Sequence, residues 1–170
     1  MKATIKRYVW IGVLVFGLGF LAAGAFFVTQ GLAAKAQIKA ALLEEQITTG
    51  KDGVKFGVAE GTLVQDATTA QAEADIIKFH TMGKWGPYSK MSRDDPNRAI
   101  YLNGVTLRTA LGMAVMGFGV ANLAIGTGVI IVILGVMTTG AGVLGLYWVS
   151  EAEPKASRQV SRQTAIATGT

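Results

Sequence analysis

Residues 109–150, between Arg108 and Glu151, form a run of forty-two positions without a single charged side chain. A helix crosses the roughly 30 Å hydrocarbon core of a bilayer with about twenty apolar residues, so this run is long enough for one crossing with much to spare, or for two short ones. A second uncharged run covers Tyr8 to Val28. Two such runs around a polar middle predict an integral membrane protein that is mainly α. It would have two, or with a turn at Gly126-Thr127-Gly128 three, transmembrane helices and a small helical, loop-rich extracytoplasmic segment.

Composition supports that class: 51% hydrophobic residues and 22 glycines exceed what a soluble domain of 170 residues carries. The net charge of +5 arises mainly from Lys2, Lys6 and Arg7, because the middle segment has ten basic and nine acidic residues and the tail from Glu151 three and two. No basic patch or stacking platform is present, which argues against nucleic acid as a partner. Cysteine is absent, excluding disulfides, thiol catalysis and thiolate metal sites.

Three positive residues before an apolar run also fit a cleavable signal peptide, with Ala34-Lys35-Ala36 as a poor cleavage site. Signal cores are about 7–15 residues long, however, and Tyr8 and Trp10 stand where an interfacial aromatic belt would lie, which favours an uncleaved anchor. The positive-inside rule then puts a cytoplasmic N-tail at 1–7, the first transmembrane helix at 8–30 and an extracytoplasmic segment at 31–108. Residues 109–150 form a long second helix or a hairpin of two spans, and 151–170 a flexible tail. Lys155, Arg158 and Arg162 prefer the cytoplasm and so favour two passes. In that reading the second helix begins at Asp95-Pro96, as N-cap and first helical residue, and breaks at Thr138–Gly142.

Glycine recurs at seven-residue intervals: Gly17, Gly24 and Gly31; Gly112, Gly119 and Gly126; Gly128, Gly135 and Gly142. Such a period holds one helix face on a left-handed seam, and glycine there lets backbones approach where lipid supplies no hydrophobic drive. The first two sets, with Asn122 as an amide able to bridge helices for roughly 0.6–2 kcal/mol, are the candidate helix-packing residues. Chance spacing in glycine-rich helices is the plainer alternative.

Between the runs, Ala33 to Gln46 reads as a continuation of the first helix, and Ile47 to Val64 as short extended pieces with a turn at Lys51-Asp52-Gly53. Thr68 to Thr81 reads as a helix capped by Thr68 and Gln71 and closed by Gly83. Trp85, Gly86, Pro87 and Tyr88 make an aromatic turn. Few large apolar side chains are available here, so the segment is expected to lean on the membrane, its own helices or a partner.

The stretch Ala74 to Ala121 resembles a family of small bacterial membrane proteins, common in actinobacteria and without an established function. The likeness rests on Ala74-Asp75-Ile76-Ile77, His80, Gly83, Tyr88, Arg93, Asp95-Pro96, Arg98-Ala99, Asn103, Leu107-Arg108 and Gly119-Val120-Ala121. Many members carry the label of an aromatic ring-opening dioxygenase small subunit. The resemblance implies a class of membrane protein and brings no catalytic residue.

The chemistry of that label meets an obstacle in the chain itself. A facial-triad iron site needs two histidines and a carboxylate, whereas His80 is the one histidine. Glu73 lies on the same helix face but about 10.5 Å along it, so His80 is expected to be a surface or packing residue. Asp94-Asp95 suits helix capping better than acid–base work, and no nucleophile elbow, phosphate loop or zincin pair occurs. The sequence therefore predicts a non-enzymatic accessory, scaffold or assembly subunit without cofactor or metal, partnered by the bilayer and by other membrane subunits or itself. A channel or transporter component, and a cofactor-free subunit of a membrane enzyme, are the alternatives.

Overall fold

A computed structural model describes the backbone of residues 2–167 and the side chains of residues 7–151. Three α-helices, α1 (Lys2–Glu44), α2 (Ala67–Trp85) and α3 (Arg98–Ala167), are joined by segments holding two 3-10 turns, η1 (Lys51–Phe56) and η2 (Tyr88–Lys90). Among the described residues extended pairing is limited to one antiparallel bridge, Thr48 with Leu63. Two helices, over Arg7–Glu44 and Arg98–Glu151, are long and apolar enough to cross a membrane.

The chain divides into two compact units, one of Met1–Val28 with Gly126–Thr170 and the other of Thr29–Ile125. In the first unit, α1 and α3 run antiparallel, and the chain comes closest where it has no side chains. A Cβ placed on Gly24 would lie 2.7 Å from the Gly128 carbonyl oxygen and 2.8 Å from the Val132 nitrogen. Gly17 meets Thr139, Gly135 meets Leu21, Gly142 meets Leu14, and Gly145 lies under the Trp10 ring. A Cβ on Gly135 would approach the Leu21 nitrogen to 2.8 Å, and one on Gly142 the Leu14 nitrogen to 2.9 Å. Seven-residue spacing puts Gly17 and Gly24 on one side of α1, and Gly128, Gly135 and Gly142 on one side of α3, so the backbones meet along a glycine line.

In the second unit, α2 packs against the inner stretches of α1 and α3. Its core gathers Leu42, Val64, Ala70, Ala74, Leu111 and Phe118. Small residues again mark the close approaches: Gly31 faces Ala121 and Ile125, Gly117 faces Ile38, and Gly104 faces Thr81. Three threonines, Thr49, Thr69 and Thr81, are buried polar residues of this unit, and each is hydrogen-bonded. Thr49 donates to the Ala59 carbonyl at 2.6 Å and accepts from the Thr62 amide at 3.1 Å, pinning the Ile47–Val64 segment.

Several local expectations change. The cap of α2 is Asp66, which accepts from the Thr69 amide at 2.8 Å while the Thr69 hydroxyl accepts from the Asp66 amide at 3.1 Å. Thr68 with Gln71 is thus not the capping box, because a carboxylate two residues earlier takes the free helix amide. Nor does Gly83 end α2. The helix reaches Trp85, and Gly86 follows at φ 74°, a positive-φ conformation suited to glycine.

The start of α3 also shifts, from Pro96 to Arg98, with the Tyr101 amide donating to the Asn97 carbonyl at 2.9 Å. Asp95 instead accepts from the Asn97 amide at 2.8 Å, forming a turn ahead of the helix. The Lys51-Asp52-Gly53 turn is the opening of η1. Finally, α3 neither breaks at Thr138–Gly142 nor turns at Gly126–Gly128. The Thr138 hydroxyl donates back to the Leu134 carbonyl at 2.7 Å, and Gly128 and Gly142 are held against α1, so residues of low helix propensity stay helical.

Candidate functional site

Chemically active side chains concentrate in the second unit. On α2, His80 shares a helix face with Glu73 without pairing with it, and its Nε2 lies 3.1 Å from Asp52 Oδ2 on η1. Asp52 also accepts from Lys55 Nζ at 2.6 Å, and that bond is the main reason its carboxyl titrates below the ordinary value of 3.8. Lys55 stands 4.9 Å from the centre of the Phe79 ring, and Phe79 makes edge contacts with Phe56 and His80. The group pins η1 to α2. With His80 57% and Asp52 27% exposed, it is a solvated clamp whose ion pairs contribute little.

Glu73 has a different environment. Its Oε2 is buried without a hydrogen-bond partner, and burial raises its carboxyl above the ordinary 4.5, with His80 pulling weakly the other way. Among the described residues no three histidine or acidic side chains converge as a metal-binding group. His80 with Asp52 supplies one imidazole and one carboxylate, fewer than a facial triad requires.

At the corner between α2 and α3, Tyr101 is 2% exposed and its hydroxyl donates to the Gly86 carbonyl at 3.0 Å. The Tyr101 ring packs 5.6 Å from Tyr88 and 6.3 Å from Trp85, centre to centre. Arg98 stacks over the Tyr88 ring and donates to the Met91 carbonyl at 3.2 Å. The aromatic turn of the sequence is therefore a locked corner. No local pattern signals the part played by Tyr101, because its partners lie thirteen to sixteen residues back.

A groove of about 690 Å³ lies between the end of α1 and the first turns of α3. Ile38, Leu42, Leu111 and Ala114 are among its apolar lining, and Glu45, Asn103 and Thr106 are its polar members. No sequence signal marked it, since its two walls are more than fifty residues apart.

The candidate packing residues divide. Gly17, Gly24 and Gly31 sit at close helix contacts. Gly112, Gly119 and Gly126 do not: a Cβ on any of them would meet nothing within 4 Å, and Asn122 is exposed. The reason is angular. In the second unit α3 turns Ala121 toward α1, and in the first Gly128; Gly119 and Gly126, each two residues earlier, are rotated by about 200°. Comparison with protein-family models, curated proteins and solved structures finds no match.

Proposed function

We propose that this chain is a two-pass integral membrane protein serving as an accessory or assembly subunit. Its N-terminus would be cytoplasmic and residues 31–108 extracytoplasmic. The observation that carries this reading is an inverted distribution of side chains along the two long helices. Large apolar groups such as Phe16 (71% exposed), Met116 (72%) and Leu123 (70%) point away from the protein, while Gly17, Gly24, Gly128, Gly135 and Gly142 take helix contacts. Water makes such a surface costly; lipid makes it neutral and leaves close backbone packing as the force that joins helices.

The accessory role follows from what the surface offers. The outer face of α3 carries Gly119 and Asn122, small and amide groups open to another helix, while Asp66 caps α2 and His80 clamps it to η1. The resemblance over Ala74 to Ala121 adds the same membrane class and no chemistry. Purification in mild detergent tests the role. A stoichiometric membrane partner, or a defined oligomer of this chain, is expected; a monodisperse monomer without any partner contradicts it.

A further inference from the structure

We infer that the groove between α1 and α3, which rises from the span at residues 109–117 into the segment beyond the bilayer, holds one acyl chain drawn from the adjoining leaflet, of a phospholipid whose headgroup bears an ammonium, as in ethanolamine lipids. The inference rests on the membrane reading above and names a ligand for it. The groove is polarised along its length. Because Ile38 packs on Gly117 and Gly31 on Ala121, α1 and α3 run antiparallel here, so Glu45 lies toward the end of the groove that holds Asn103 and Thr106. From Leu107 to Gly117 the α3 wall is apolar for about 15 Å. An apolar trough with polar groups gathered at one end has the form of an amphiphile, and its volume lies within the range of small-molecule sites.

Charge chooses the headgroup. α1 ends at Glu44 with no basic residue in its last turn, so its negative dipole end is left beside the carboxylates of Glu44 and Glu45. Among the described residues neither glutamate takes part in an ion pair, and no lysine or arginine lines the groove. That end favours a cation and disfavours an anionic headgroup. A second copy of this chain fits less well, because a helix laid in the trough would have to bring both an apolar ridge and a cation at its edge. Met113, exposed on the open side, gives a flexible wall that adapts to a chain entering from the bilayer.

The test is native mass spectrometry of the full chain released from detergent containing equal amounts of phosphatidylethanolamine and phosphatidylglycerol. The chain should retain one lipid, favouring the ethanolamine lipid by about fivefold. Glu45→Gln, an exposed change, should bring that preference close to one without reducing total lipid. Ala110→Trp, which fills the trough, should remove the adduct while helicity by circular dichroism is unchanged. Equal retention of both lipids by the native chain, retention insensitive to both variants, or a dimer that excludes lipid would overturn the inference. Alkaline carbonate extraction separates the two layers of the reading. A chain that stays with the membrane but keeps no lipid defeats only the groove assignment, whereas release to the supernatant defeats the membrane reading as well.

Discussion

Gly24 and Gly128 oppose each other backbone to backbone: a Cβ on Gly24 would stand 2.7 Å from the Gly128 carbonyl oxygen, and one on Gly128 would stand 2.8 Å from that of Gly24. Even alanine does not fit at either position without displacing main chain. Gly24→Leu should therefore destabilise the helix pair by about 1–3 kcal/mol or more, as overpacking does. Gly19→Leu, where a Cβ meets nothing within 4 Å, is the matched control and should be close to neutral. Unfolding in a titration of denaturing detergent measures both, and equal losses would show that proximity to the second helix is not what matters.

Asp66 holds the start of α2 through the Thr69 amide, and this bond lowers its carboxyl below 3.8. A depressed folded value means that the stabilisation is present above the unfolded value and is lost as pH falls through the folded one. Asp66→Ala should cost about 1 kcal/mol at neutral pH, the usual loss of a cap. The deficit should shrink below pH 3.8. Thermal melts of the helical signal at pH 7 and pH 3 check it; a deficit independent of pH would mean that the carboxylate form is not the one that caps.

Glu73 titrates with the opposite sign. Its raised value means that the folded chain favours the neutral acid, so its contribution is full below 4.5 and is lost as pH rises through the folded value. Glu73→Gln should accordingly raise the melting temperature at pH 7 and give no advantage at pH 4. A variant less stable than the native chain at pH 7 would show that the ionised carboxylate has a partner that stabilises it.

The long helices were legible because uncharged runs and helix formers act locally, and Tyr8 to Val28 and residues 109–150 both lie within single helices. Helix ends were less so. Thr68 has the residue type of a cap, yet Asp66 caps α2 because its oxygen reaches the free Thr69 amide. The seven-residue glycine spacing coincides with helix contacts for Gly17, Gly24 and Gly31, yet the same spacing at Gly112, Gly119 and Gly126 faces away from α1. Period alone gives a face, and only the partner helix decides which face is inside. Long-range packing that no local pattern records brings His80 to Asp52 and puts Glu45, Asn103 and Thr106 on one groove.

The proposed two-pass arrangement is tested most directly by single cysteines, since the native chain has none. Ser89→Cys and Ser157→Cys, probed in intact cells with a membrane-impermeant thiol reagent, report the segment before α3 and the tail after the second apolar run. The two-pass reading predicts labelling at position 89 from outside and at position 157 only after the membrane is opened. Labelling of both positions from outside would contradict it.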